Sequence, residues 1–531
     1  MKKTKLSIVM LMLASEGTFA QTLNDAIKFT TNEQFAKADA AFKTLIQAQP
    51  NNGEYYFYYG ENYFKNGNLE MANAMYQKGV DVNATNPFPY VGLGKVQWEK
   101  GKQADAKGNF FKATTLAAGK NATVLYKIAE EYIDADTKNL PEAFNLLTQA
   151  AKLDPKNAEI YILTGDAYLE QNDGSKAVEN YEKAGTLDPK SPRALIKQGQ
   201  LYNRAKNYPL ALEDYKKSKA IDSTYAPAYR EMAEIYFRAG QFKNAVSNYK
   251  KYLDLNNNDC DALVRYAGFL NQAKEYDESI KTATEALKCA PDNVYLYRYL
   301  AYDYYDSPTP NYAAGLDNSN MFFTKAQANP DTKIIPQDYD YQAKLLAKTG
   351  KDSLAIIAYK KELELSPDKT ELSGDIANEY IKMKKYPEAI AAYKDKMQKT
   401  KPNANDYFGI GRAYYYSKDF INADSSFNQI IIQQPDLPIG YLWVAKSKVQ
   451  KEVADKTDNW SAKPLYEQFI AKVKPEEVEK NKPALVEAYT YLAAYYAKKK
   501  DCENTKLNFQ KVLDLDPANA QAKKFMSAPC K

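Results

Sequence analysis

Fourteen stretches of this chain repeat one pattern, a small residue, a second small residue and, in twelve of them, a ring, at spacings that eleven of them keep unbroken. Residues 158–191, AEIYILTGDAYLEQNDGSKAVENYEKAGTLDPKS, show the unit, which is 34 residues long. Tyr161, Gly165 and Tyr168 fall on one face of a helix. Asn172, Asp173 and Gly174 interrupt it. Ala177, Tyr181 and Ala184 then mark one face of a second helix, which stops at Asp188-Pro189. With residue 158 as position 1, position 8 is Gly or Ala in all fourteen units, from Ala26, Gly60 and Gly94 to Gly411, Ala445 and Ala493. Position 20 is Ala except at Ser279, Ser319 and Thr505. Position 24 is aromatic in twelve units, with Leu147 and Ala283 as the exceptions. Small residues in register with rings are what two interlocking helices need, because a ring seats only where the facing backbone comes close.

This pattern resembles the tetratricopeptide repeat (TPR), a helix–turn–helix unit of the same length. The resemblance runs over about residues 22–517. It implies an all-α fold, a right-handed superhelical solenoid of about 14 repeats. Residues 518–531 then read as a capping helix over the last apolar face. The period is broken three times, at 134–139, 306–312 and 452–460. Each break lies between the two helices of a repeat, and Trp460 in the last is expected to fold back on the array.

The N-terminus, MKKTKLSIVMLMLASEGTFAQ, has three lysines, an apolar run from Leu6 to Ala14 and a small-x-small site before Gln21. It reads as a secretory signal peptide over 1–20, giving an array of 21–517 in an exported protein of bacterial style, periplasmic or envelope-associated. In such a compartment the four cysteines are expected to pair. Residues of antiparallel helices lie side by side when their repeat positions sum to a constant, which matches Cys260 with Cys289 and Cys502 with Cys530.

The net charge of +5 is spread without blocks of either sign, which argues against a nucleic-acid partner. Histidine is absent, so a Ser–His or Cys–His arrangement cannot be built. No catalytic residue, metal site or cofactor is expected. The Gly92-Leu93-Gly94 and Gly409-Ile410-Gly411 triplets fall at positions 6 to 8 of the first helix and read as packing positions.

Arginine is the sharpest clue to function. There are seven against 65 lysines, all in the first helices of repeats: Arg193, Arg204, Arg230, Arg238, Arg265, Arg298 and Arg412. The TPR resemblance implies that these first helices line a concave groove. The first six arginines, with Tyr302 and Tyr305, are therefore the candidate groove, one that grips carboxylate or phosphate. The opposing reading makes the arginines braces between repeats, through acids such as Glu231, Glu234 and Asp261. The expected role is a non-enzymatic scaffold of the bacterial cell envelope. It would hold an acidic protein or peptide, either free in the periplasm or peripheral to an outer-membrane complex. The alternative is an accessory protein that binds glycans or envelope polymers through Phe237, Tyr302, Tyr305, Tyr415 and Tyr416. Oligomeric state is left open.

Overall fold

The computed structural model describes residues 22–256 and 259–527. Among them are twenty-nine α-helices, one 3-10 turn and no strand, so the fold is all-α. Twenty-eight of the helices form fourteen antiparallel pairs, A and B. They run from Leu23–Thr31 with Phe35–Ala48 to Val478–Lys498 with Cys502–Leu515. Helix Ala520–Ser527 follows, stacking Phe525 on Phe509 of the last B helix with ring centroids 4.7 Å apart. The chain divides into two compact units, the first ending at Tyr299 and the second beginning at Leu300. Residues 1–20, read as the signal peptide, and Cys530 lie outside the described residues.

The A–B turn is set by one backbone conformation. In the eleven repeats without an insertion, position 15 takes φ between +55° and +75°. Gly fills it at Gly67, Gly101, Gly240 and Gly350, whereas Glu33, Asn172, Lys206 and Lys384 accept a left-handed geometry that costs a side-chain-bearing residue roughly 1–2 kcal/mol. An Asn or Asp next in sequence, such as Asn68, Asp173 or Asp419, then caps the B helix by accepting a backbone N–H three residues on. Position-4 tyrosines close the turn between repeats. The Tyr56, Tyr161 and Tyr441 hydroxyls donate to the carbonyls of Pro50, Pro155 and Pro435 at 3.0–3.1 Å.

The position-24 ring locks the stack. Tyr76 is fully buried between two glycines. A Cβ on Gly60 of its own A helix would lie 2.3 Å from the ring, and one on Gly92 of the next A helix 2.2 Å from it. No side chain fits on either side without moving the ring, so both GxG triplets serve packing: Gly409 stands against Tyr393 and Gly411 against Phe427 in the same way. Successive A helices touch one another through the first seven repeats and between the eleventh and twelfth, whereas successive B helices make no comparable contact. The first unit therefore curves with its A helices on the inside, and the eleventh and twelfth A helices approach in the same way.

The insertions are absorbed in different ways. Residues 135–139 form an open loop. At 452–460 helix Pro438–Asp455 runs on for a turn, and the chain returns through Trp460. This ring packs on Tyr491 and Tyr495 at 5.1 and 5.6 Å, while the Glu452 carboxylate accepts the N–H groups of Trp460 and Ser461. A fourth departure escapes the three-break reading. Between helices Lys463–Lys472 and Val478–Lys498 the chain adds the 3-10 turn Pro475–Glu477, and the A helix starts early, taking Pro483 into its body. The interval from Ala462 at position 20 to Ala493 at position 8 is 31 residues, against 22 from Ala177 to Gly199, so the spacing carried a signal that a count of breaks within repeats passed over.

Cys260 and Cys289, the first and last residues of the eighth pair, are joined with an S–S distance of 2.02 Å. Two outcomes follow. Gly92→Val should lower unfolding stability by about 1–3 kcal/mol through overpacking against Tyr76, measured by urea denaturation; an unchanged midpoint would contradict the lock. A non-reduced digest should yield Cys260 and Cys289 in one linked peptide, and recovery of both as free thiols would contradict the bond.

Candidate functional site

The concave surface of the first unit is a ladder of opposite charges. The Tyr76 hydroxyl donates to Glu61 at position 9 (2.7 Å), and Glu61 also receives Lys95 from position 9 of the next repeat (2.9 Å). Lys127 bridges Glu61 and Glu130 at 3.3 and 2.7 Å. Lys95 and Glu61 are only 2 % and 3 % exposed. Burial would push Glu130 up, but Lys127, Lys65 and Lys95 outweigh it and hold its carboxyl well below the usual range. The ladder continues where Asp166 accepts the Tyr181 hydroxyl (2.7 Å) and meets Lys197 (2.9 Å). One neighbour stands outside this balance. Glu131 is buried with one oxygen unpartnered, and desolvation raises its carboxyl to about 9.

The six candidate arginines of the groove all lie in A helices of this unit. Arg193 is ion-paired to Glu159 of the preceding repeat. Arg204 reaches Glu170 (3.3 Å) and Asn172 (3.0 Å) in the same way. Arg265 grips Glu234 with two parallel bonds, 2.8 and 2.6 Å, and lies over Phe269 at 4.6 Å. Arg238 donates to Asn203 (3.3 Å), and Arg298 stands over the Tyr295 ring at 5.2 Å. Glu231 and Glu234 serve as the acidic partners expected of braces, and an external anion would have to displace them.

Arg230 shows a longer connection. It holds both oxygens of Glu33, 197 residues away in the first repeat, at 2.6 Å, and it also meets Glu231 at 3.3 Å. Tyr252 donates to the same Glu33 carboxylate (3.0 Å). Beside this contact Gln34 donates to the Thr224 carbonyl (2.7 Å), and Asn32 and Lys28 reach Asp222 at 3.3 and 3.0 Å. The first repeat thus docks its A–B turn onto the sixth and seventh repeats and closes this unit on itself. Glu33 projects toward Arg230 from the left-handed position 15. Between the first A helix and the ladder remains a cavity of about 280 Å³ lined by Tyr58, Lys65, Tyr126 and Arg193. Sequence reasoning missed Glu33, Glu61, Lys95, Lys127 and Glu130. The last four carried a signal, alternating charges at positions 6 and 9 of successive A helices; Glu33 carried none.

In the second unit Tyr302 is buried, stacked on Tyr341 at 4.0 Å and donating to Asp338 (2.7 Å), while Tyr305 packs edge-on against Tyr341 (5.7 Å). Tyr415 is packed edge-on against Trp443, and in the first unit Phe237 is stacked on Phe269. Of the rings proposed for glycan contact only Tyr416 is exposed, at 42 %. It borders an open trough of about 630 Å³ between the eleventh and twelfth A helices, lined by Asp375, Asn378, Lys382, Lys384, Tyr386 and Arg412. Tyr386 and Tyr416 stack along its rim at 6.1 Å. The Arg412 guanidinium lies 5.8 and 5.9 Å from the Phe408 and Tyr416 rings and makes no hydrogen bond or ion pair with any described residue. Among the described residues, no helix is long and apolar enough to cross a membrane, and no group of three or more Cys, Asp or Glu could hold a metal ion.

A stack of antiparallel helix pairs locked by small residues and rings is a helical-repeat solenoid. Its unit is the tetratricopeptide repeat: one sequence profile of that repeat matches residues 135–201 and 236–301, and a second matches 29–87. Proteins built of it generally mediate protein–protein interactions and are generally non-enzymatic. Protein CTR9 homolog of Arabidopsis thaliana is 25 % identical over 130 residues, which are 24 % of this chain; the match spans only 12 % of that relative's length. Among solved structures, the C-terminal part of a TPR repeat-containing protein from Cytophaga hutchinsonii is 30 % identical. The match covers 50 % of this chain and 99 % of that one, with a TM-score of 0.44. PilF of Pseudomonas aeruginosa is 19 % identical over 41 % of this chain and 96 % of its own, at 0.29. Cut9–Hcn1 of the APC/C is 14 % identical over 89 % and 95 %, at 0.31.

Closure of the first unit is open to test. Glu33→Ala should raise hydrogen exchange across 23–48 while 122–187 stays protected; equal protection in both would contradict the docking. Burial would raise the Asp222 carboxyl, but hydrogen bonds from Thr224, Lys28 and Asn32 overcome this and lower it to about 2. A lowered folded pKa means that its contribution is complete above about pH 4 and lost as pH falls toward 2. Exchange at 23–48, corrected for intrinsic rates, should therefore rise over that window in the wild type and not in Asp222→Asn.

Proposed function

We propose that this chain is a non-enzymatic scaffold of the bacterial cell envelope that holds a partner protein or peptide on its concave A-helix surface. The observation that carries this reading is the open trough of the second unit, where polar and aromatic side chains of two A helices face a volume of about 630 Å³. That volume lies within the ~300–1,000 Å³ range of ligand pockets. Repeat arrays suit the task because each unit adds concave surface without a new core. Export is supported by the charged, apolar and small-residue regions of residues 1–20 and by the joined Cys260 and Cys289, which an oxidising compartment favours.

A photo-crosslinking residue placed at Tyr416 or Tyr386 in the full chain, expressed in a bacterial envelope, should capture a protein. One placed at Ile357, 56 % exposed on a B helix, should not. Capture from Ile357 alone would contradict the reading. The Tyr386–Tyr416 stack, with Tyr416 exposed, also favours the glycan alternative; retardation of the chain on envelope polysaccharide, abolished by Tyr416→Ala, with no captured protein, would select it. The mature chain should begin at Gln21, and a mature mass retaining residues 1–20 would contradict export by cleavage.

A further inference from the structure

We propose that Arg412 anchors a carboxylate-binding subsite in the trough of the second unit. This rests on the scaffold reading and names the chemistry of its ligand. The argument comes from comparing two equivalent places in the same chain. In the second and third repeats, position 9 is Glu61 and then Lys95. The ring at position 24, Tyr76, donates to Glu61, and Glu61 pairs with Lys95 at 2.9 Å. In the eleventh and twelfth repeats the same positions are Asn378 and Arg412. Tyr393 donates to the Asn378 Oδ1 at 2.9 Å, as Tyr76 does to Glu61. The lock is the same, but a neutral amide replaces the carboxylate that would answer the cation.

The consequences are visible in the trough. The Arg412 guanidinium lies within cation–π range of the Phe408 and Tyr416 rings, and its N–H fork is unpaired among the described residues. The Asn378 amide nitrogen likewise has no partner among those residues, and Lys384 lines the same volume. Glu379 is neutralised by Lys382 at 2.7 and 2.9 Å. Of the remaining charged side chains that line the trough, Lys384 and Arg412 outnumber Asp375, and the lining is net positive. A planar fork beside an amide donor and an ammonium fits a carboxylate, which accepts two parallel bonds from Arg. The carboxylate belongs to an extended peptide, as an Asp or Glu side chain or as a chain terminus, with the Tyr386–Tyr416 stack as a platform for its neighbours.

The test uses the full chain and three fluorescent peptides of about twelve uncharged residues. The first carries one central Glu and an amidated end, the second no acid and a free C-terminal carboxylate, the third neither. Binding is read by anisotropy. One of the first two should bind at least about tenfold more tightly than the third, and which one does tells side chain from terminus. Arg412→Gln should remove that advantage with an unchanged melting temperature, since only ring contacts are lost. Arg412→Lys should restore it in part. Asn378→Glu should also abolish binding while raising the melting temperature, because it rebuilds the Glu61–Lys95 arrangement internally. Equal binding of all three peptides, no binding of the first two at about millimolar protein, or unchanged binding by Arg412→Gln would overturn the proposal. If crosslinking from Tyr416 still captures a protein that Arg412→Gln and Asn378→Glu also capture, the scaffold stands and the carboxylate subsite falls.

Discussion

The seating of the position-24 ring between two A helices is the constraint on which the rest depends. At Tyr76 the ring fills the space between Gly60 and Gly92 so closely that neither can carry a Cβ. The ring is also a tyrosine in several repeats, and its hydroxyl must find a partner at the concave edge of the core. Tyr76 finds Glu61, Tyr181 finds Asp166 and Tyr393 finds Asn378, each at position 9 of its own repeat. In these three repeats core packing thereby goes with a polar acceptor at position 9, whereas Tyr215 and Tyr466 donate to Glu231 and Glu487 of the next A helix. Where the acceptor is a carboxylate, the next A helix supplies a cation, as Lys95 and Lys197 do. Where it is an amide, the cation is left for something else. Polarity on the concave face is thus tied to the packing that makes the solenoid.

The two units use this surface differently. In the first, carboxylates from neighbouring A helices take up Arg193, Arg204 and Arg265, and the docked first repeat takes up Arg230 through Glu33. Burying Glu61 and Lys95 is tolerable only because each charge has an opposite partner and the Tyr76 hydroxyl adds a further bond. Such a surface is costly to open, since a ligand must replace every contact it breaks. The trough of the second unit carries no such closure, and its arginine is oriented by rings instead of by acids.

Much of the architecture was legible in the sequence because it follows from local spacing. Small residues at positions 8 and 20, rings at 24 and the Asp-Pro stops imply all fourteen helix pairs. The GxG triplets read correctly as packing positions for the same reason. What was passed over was the junction before Val478–Lys498, where the interval from Ala462 to Ala493 is 31 residues against 22 in a regular repeat; the length was visible, but that it forms a 3-10 turn and an early helix start was not. The site was less legible. The preference of Arg for A helices was visible, but whether each fork meets an acid depends on contacts with the adjacent helix or, for Glu33 and Arg230, across 197 residues. Counting arginines favoured the cluster in repeats six to nine and passed over Arg412, which stands apart in sequence. The residue that sets Arg412 apart is its neighbour in space, Asn378. Only alignment of position 9 across successive repeats makes that visible.

The most direct test of the account is the reactivity of individual arginines in the intact protein. Brief treatment of the folded chain with phenylglyoxal, followed by peptide mass spectrometry, ranks the guanidinium groups by the availability of their N–H forks. Arg412 should react well ahead of Arg193 and Arg230, and Asn378→Glu should slow it to their rate. Uniform reactivity, or an Arg412 as protected as Arg230 in the wild-type chain, would contradict the division between a concave surface satisfied from within and one left open to a partner.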